Sequence, residues 1–257
     1  MSKPLNFIKF QRNKKKPLFS IITVTRNSEK FVEDCVKSVI EQKFRDFEYI
    51  IIDGKSSDKT VKIVKKYKKK INIIKSENDR GIYDAFNKGV NLSEGKFICI
   101  VNSDDVLTPN ALYIINRYIK KKKFDFIFGS VKKHWGILHG YKPNKIKYSW
   151  GFYSSHSTGF FINRNAALKV GKYNIKYKFH ADYDYFYRMI VKKKLIGTST
   201  KKNEITGIFR RGGYSSTIPF KKLFYEEIKI RYDNGQNILL LLIIIIYKIL
   251  KNYKKFV

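Results

Sequence analysis

The sequence predicts an α/β fold, a mostly parallel sheet with helices on both faces, followed by a C-terminal helical extension. Three observations predict it. Between residues 18 and 130, short β-branched apolar runs alternate with segments whose apolar residues recur at helical spacing. Repeated strand–helix units of this kind build parallel sheets, because each crossover returns the chain to the same end. The chain of 257 residues is also 43% hydrophobic, enough to bury the core that such a sheet requires.

Residues 18–25 form the first strand. Asn27 or Ser28 is placed to cap the next helix, whose apolar positions are Phe31, Val32, Cys35, Val36, Val39 and Ile40. Residues 47–53 form a second strand. Ser57 or Asp58 then caps a helix through Val61, Val64 and Tyr67. Residues 71–75 are a third strand, and a helix over 81–90 presents Ile82, Ala85, Phe86 and Gly89 on one face. Residues 96–102 are a fourth strand. Pro109 opens a helix through Leu112, Ile115 and Ile119, and residues 124–130 make a fifth strand. The pattern then loosens into a strand over 158–163, a helix over 181–192 and a strand over 205–209. The expected division is a basic tail (1–17), the α/β domain (18–216) and a helical extension (217–257).

Right-handed crossovers gather the C-terminal ends of parallel strands on one edge, where ligands bind in such sheets. Polar residues follow each strand there: Thr25-Arg26-Asn27, then Asp53-Gly54, then Asn78-Asp79-Arg80-Gly81, then Asn102-Ser103-Asp104-Asp105. Each Asp alone is an ordinary turn or cap residue, and Asp58 is best taken as a cap. Four such clusters on one edge point to a site. Adjacent carboxylates repel unless a cation joins them, and a hard divalent ion with oxygen ligands is the natural partner for Asp104 and Asp105. A metal so placed neutralises a departing diphosphate. A solvated Asp-Asp turn is the plain alternative. Asp182 lies in His180-Ala181-Asp182-Tyr183-Asp184 at a helix start. The helix dipole favours one carboxylate there, which accounts for one of the two Asp residues. The other can serve as a general base for a hydroxyl.

Composition narrows the function further. The net charge of +33 suggests a polyanionic partner, with drift toward a Lys-, Ile- and Asn-rich composition as the plain alternative. The basic residues are mostly Lys and are spread over nearly every helix and both tails, not drawn into one stripe with aromatics, so nucleic acid is not expected as the partner. Cys35 and Cys99 sit in separate apolar stretches and suit buried thiols. Residues 1–16 are basic without an apolar core, so no signal peptide is expected.

These motifs together resemble the family 2 glycosyltransferases, which have the GT-A fold with a Rossmann-like sheet. The resemblance runs from about residue 19 to about residue 216. Ser20-Ile21-Ile22-Thr23-Val24-Thr25-Arg26-Asn27 resembles the family's first strand and nucleotide loop. Tyr49-Ile50-Ile51-Ile52-Asp53-Gly54 resembles its second strand and turn. Asn78-Asp79-Arg80-Gly81-Ile82-Tyr83-Asp84 is similar to a segment of polysaccharide-assembly members. Asn102-Ser103-Asp104-Asp105 resembles the metal motif, and Ala181-Asp182-Tyr183-Asp184 the segment that bears the base.

The resemblance implies a nucleotide-sugar donor, a UDP-sugar, and a glycan or lipid-linked acceptor. It implies that Thr25, Arg26, Asn27 and Asp53 bind the nucleotide, Asp53 accepting the imide N–H of a uracil-type base. Asp104 contacts the ribose, and Asp105 ligates Mg²⁺ or Mn²⁺. Arg80 lies near the diphosphate, and Asp182 is the base of an inverting displacement. Gly212 and Gly213 belong to a loop that closes over the phosphates, with Arg210 and Arg211 adding charge. His156 and His180 are candidate contacts to phosphate or acceptor. Three positions depart from the common pattern: Arg26 stands where an aromatic is frequent, Ala181 where Glu is frequent, and Ser103 where a third Asp is frequent. A guanidinium also stacks on a base.

The competing expectations are a nucleotidyltransferase of related fold, a basic nucleic-acid-binding protein and an inactive relic. The first strand leads into Thr25-Arg26-Asn27-Ser28-Glu29, without the glycines of a nucleotidyltransferase loop. The retained Asp105 and Asp182 argue against a relic.

The C-terminus carries ten consecutive apolar or aromatic residues, 238–247, beside Lys248, Lys251, Lys254 and Lys255. As a helix, residues 237–250 would measure about 21 Å, short of the roughly 30 Å of a bilayer core. The expectation is a protein held peripherally on the cytoplasmic face of an anionic membrane. A core helix closing the domain is the alternative.

Overall fold

The computed structural model describes residues 7–9, 16–148, 157–210 and 218–255. Four parallel strands form the centre of the molecule: β2 (Phe19–Thr25), β3 (Phe47–Asp53), β4 (Ile73–Ser76) and β5 (Phe97–Asn102). They read as nearly continuous apolar runs because both sheet faces are covered. Phe19, Ile21, Tyr49, Ile51, Cys99 and Val101 face one way, against α1 (Val32–Ile40), α2 (Thr60–Lys66) and α4 (Ala111–Lys121). Ile22, Val24, Ile50, Ile52, Ile98 and Ile100 face the other, toward α3 (Ile82–Leu92), α5 (Arg164–Val170) and α6 (Ala181–Tyr187).

The large sheet has eight strands. Besides the four at its centre it contains β1 (Phe7–Lys9), β7 (Phe126–Phe128), β10 (Phe160–Asn163) and β11 (Gly197–Ser199), in the order β1-β4-β3-β2-β5-β10-β7-β11. β1 pairs antiparallel with β4, so part of the expected basic tail belongs to the sheet. β10 runs antiparallel to both of its neighbours.

A second sheet was not expected from sequence. It orders β6 (Val106–Leu107), β12 (Ile205–Ile208), β8 (Ser130–Lys133) and β9 (Gly136–Leu138) side by side. The single strand expected over 124–130 is therefore two strands, and the chain changes sheets at Gly129. A Cβ there would lie 1.9 Å from Thr206 Oγ1, so only glycine fits the crossing.

Other expectations shift locally. No side chain caps α1. Asn27 instead adopts a left-handed conformation (φ 49°), and its Oδ1 accepts the Ser57 N–H at 2.9 Å. Asp58 does serve the start of α2, accepting the Thr60 N–H at 2.9 Å. Tyr83 replaces Ile82 on the buried face of α3, leaving Ile82 36% exposed. α4 starts at Ala111, and the Pro109 carbonyl accepts the Lys43 N–H. The helix expected over 181–192 ends as α6 at Tyr187 and continues as a wider π-type turn over Arg188–Lys192.

Two helices complete the described chain, α7 (Phe220–Asp233) and α8 (Ile238–Lys251). α7 is part of the interior. Ile230 joins the core cluster around α6. Arg231 is fully buried, pairs with Glu227 at 2.8 Å, donates to the Lys147 carbonyl and lies 5.0 Å from the Tyr183 ring. Lys248 of α8 reaches the same Glu227.

Candidate active site

The site is assembled where β2, β3, β4 and β5 end. Asp53 closes β3 and is 1% exposed. Its Oδ2 accepts the Ser56 N–H at 3.0 Å and the Ser76 hydroxyl at 2.6 Å, and its Oδ1 accepts the Ser56 hydroxyl at 2.5 Å. Asp53 thus orders the loop after β3. Ser56 Oγ in turn accepts the Asn27 N–H at 2.8 Å, which ties the loops after β2 and β3 together. Gly54 sits between them. A Cβ at Gly54 would lie 2.2 Å from the Asp79 carboxylate and 3.3 Å from Arg26 Cδ, so three strand ends meet at this point. Thr25, Arg26, Asn27 and Asp53 are therefore brought together. Arg80 is not joined to them: its guanidinium turns to Asp84 one turn along α3, at 3.4 Å.

Asp104 and Asp105 follow β5. Asp105 is 4% exposed, and its oxygens accept from the Thr158 hydroxyl at 3.0 Å and the Arg210 N–H at 3.3 Å. Burial, and then the charge of Asp104, push its carboxyl up to about 8. Both donors are neutral, and among the described residues no cation lies within ion-pair distance of Asp105. Lys133 on β8 is the cation that its charge reaches; burial holds that ammonium below its usual range. Arg210 serves by its backbone, while its guanidinium pairs with Asp34 of α1 at 3.0 Å. Below the aspartates lies Cys35, whose thiol burial pushes up to about 12, so it is inert.

Two buried oxygens at this edge lack a hydrogen-bond partner among the described residues: Thr25 Oγ1 at the end of β2 and Asn102 Oδ1 at the end of β5. Polar atoms so buried are rarely orphaned in proteins.

Asp182 lies in the first turn of α6 and is 9% exposed. Its Oδ1 accepts the Tyr183 N–H at 2.9 Å and the Tyr83 hydroxyl at 3.2 Å. Tyr83 comes from the first turn of α3 and also meets the Phe179 carbonyl at 2.9 Å; burial and then Asp182 hold its phenol well above the usual range. His180 precedes α6, and its carbonyl accepts the Tyr183 and Asp184 N–H groups. Asp184 faces inward, to Arg188 at 2.9 Å and Asn234 at 2.9 Å.

His156, Arg211, Gly212 and Gly213 lie outside the described residues. Sequence reasoning did not single out Tyr83, Thr158, Lys133 or Asn102 as site residues. Tyr83 and Asn102 stand inside the strand-end motifs, whereas Thr158 and Lys133 carry no local signal.

The chain matches the sequence model of one family, Glycosyl transferase family 2, over residues 20–179. An uncharacterized glycosyltransferase of Methanocaldococcus jannaschii is 31% identical over 240 residues, covering 86% of this chain and 82% of the relative. A PGL/p-HBAD biosynthesis glycosyltransferase of Mycobacterium tuberculosis is 27% identical over 237 residues, covering 88% and 90%. Among solved structures, S. aureus TarS in complex with UDP aligns with a TM-score of 0.67 at 20% identity, over 84% of this chain and 64% of that one. The mannosyltransferase PcManGT from Pyrobaculum calidifontis, in complex with GDP-Man and Mn²⁺, aligns with a TM-score of 0.62 at 13% identity, again over 84% and 64%. This chain spans slightly less than two-thirds of either structure, and at these identities the likeness is one of fold.

Proposed function

The chain belongs to glycosyl transferase family 2 and has the GT-A fold, and we propose that it is an inverting, metal-dependent enzyme that moves a sugar from a UDP-sugar to a hydroxyl of a glycan or lipid-linked acceptor. The observation that carries this function is the state of Asp105. A carboxylate buried beside a second carboxylate, with only neutral donors among the described residues, is stabilised by a cation. Asp105 with Asp104 would hold Mg²⁺ or Mn²⁺, which when bound offsets the charge of the departing diphosphate. Among the described residues no three His, Cys, Asp or Glu side chains converge on one metal position. Phosphate oxygens and water would complete the ligand set, as hard divalent ions at phosphate sites commonly require.

The residues around it divide the remaining tasks. Thr25, Arg26, Asn27 and Asp53 form the nucleotide pocket. Asp53 Oδ1 takes one hydrogen bond from Ser56 and keeps acceptor capacity for the imide N–H of uracil. Arg26 offers a flat cation for the base to stack on. Thr25 Oγ1 and Asn102 Oδ1 are the orphaned polar atoms that a bound donor satisfies. Asp182 accepts the proton of the acceptor hydroxyl. The freed oxygen attacks the anomeric carbon, and the bond to the nucleoside diphosphate breaks on the opposite side. Tyr83 and the Tyr183 N–H fix the Asp182 carboxylate for that transfer.

Family membership sets aside nucleotidyl transfer as the principal activity. A thermal-shift screen of UDP- and GDP-sugars with Mn²⁺ tests the donor. A UDP-sugar at about 100 times its Kd should add roughly 2.7 kcal/mol of stability. NMR of the product linkage should show the anomeric configuration opposite to the donor's; retention would refute single displacement.

A further inference from the structure

α8 has two unlike faces. Leu241 and Ile244 are buried toward the rest of the molecule, and Lys248, one turn on, reaches the buried Glu227 of α7. The opposite face carries Leu239 (67% exposed), Ile243 (63%), Ile246 (58%), Tyr247 (59%) and Leu250 (70%), with Leu242 at its margin. A continuous stripe of this size, at helical spacing and open to solvent, is not what a monomer leaves uncovered without a partner.

We infer that the outer face of α8 docks on an anionic lipid bilayer, with the helix lying in the interface. Three observations select this occupant. The first is length. α8 has 14 residues, about 21 Å of helix, and no helix among the described residues is long and apolar enough to cross a membrane. The second is charge. From residue 234 to the end the chain contains no Asp or Glu, while Lys251 and Lys254 are exposed next to the stripe. On α7, Lys221, Lys222 and Lys229 are exposed, whereas Glu226 and Glu227 are buried. A second copy of this +33 chain would bring like charges together; anionic headgroups bring opposite ones. The third is aromatic placement. Tyr225, Tyr232, Tyr247 and Tyr253 are 57–72% exposed on and just beyond these two helices, and amphipathic aromatic rings favour the level of the headgroups.

The docking helix is rigidly attached. Glu227 joins Arg231 and Lys248, and Gln236 with Arg231 holds the Lys147 carbonyl. Deleting residues 236–257 would break this buried network, so substitutions on the outer face are the cleaner test. The full chain is sedimented with vesicles of phosphatidylcholine plus phosphatidylglycerol and with phosphatidylcholine alone, at about 0.1 and about 0.5 M salt, to vary screening of the lysines.

The expected result is cosedimentation with the anionic vesicles. The variant carrying Leu239→Ser, Leu242→Ser, Ile243→Ser, Ile246→Ser and Leu250→Ser should lose at least about tenfold in partitioning, as follows from removing several exposed apolar side chains from lipid contact. Its melting temperature should be unchanged. As an independent readout, Ile243→Trp should shift its emission to the blue when anionic vesicles are added. Lysine attraction alone would leave partitioning of the Ser variant undiminished and the Trp emission unmoved, and either result overturns the inference. So does size-exclusion chromatography showing a dimer that the Ser variant dissolves, with no vesicle binding by the parent chain.

Discussion

Asp182 and Asp184 stand two residues apart on α6 and serve different ends. Asp184 points inward and is used up by Arg188 and Asn234. Asp182 instead accepts from the Tyr83 hydroxyl of α3 and from the Tyr183 N–H of its own helix start. Asp182→Asn keeps the shape and the hydrogen bond from Tyr83 but removes the basic oxygen. It should leave the UDP affinity measured by calorimetry unchanged and lower kcat at least about a hundredfold, the common scale for losing a general base. An Asn variant with near-normal turnover would remove Asp182 from that role. The sequence displayed both aspartates but not their division of labour. That depends on Arg188, Asn234 and Tyr83, and the Tyr83–Asp182 contact spans 99 residues. Thr158, 53 residues from its partner Asp105, was hidden for the same reason.

Among the elements, α7 bears directly on the site. Glu226 accepts the backbone N–H groups of Lys178 and Phe179, the latter at 2.8 Å, just before His180 and Asp182. The Phe179 carbonyl meets Tyr83, which holds Asp182. Glu226 is therefore expected to position Asp182, the proposed base. Glu226→Ala would leave two part-buried N–H groups unpaired, at about 1–3 kcal/mol each. It should lower kcat with little change in donor affinity, and Glu226→Gln should restore part of the loss. A change confined to the donor KM would contradict this role. The central strands were legible because buried parallel strands announce themselves as β-branched runs. The sheet switch at Gly129 was not, since residues 124–130 read as one strand and the close approach that demands glycine comes from Thr206 on a distant strand. The two faces of α8 were equally hidden. Residues 238–247 are apolar all round, and the buried side is the one from which Lys248 reaches Glu227 of α7.

At the scale of the whole molecule, the sheet gathers four strand ends on one edge, and Tyr83 of α3 joins Asp182 of α6. Order along the chain is enough to put Asp53, Asp104 and Asp105 on that edge, because crossovers between parallel strands are right-handed. The second sheet adds what order alone did not reveal: β12 leads Arg210 to Asp105, and β8 brings Lys133 near it. The proposed metal site rests on Asp105. The most direct test is calorimetric titration of UDP, with and without Mn²⁺, into the parent chain and into Asp105→Ala. UDP should bind the parent chain tightly only when Mn²⁺ is present, and that metal-dependent gain should vanish in Asp105→Ala. Equal UDP affinity with and without Mn²⁺, or an undiminished gain in Asp105→Ala, would contradict a metal held at Asp105.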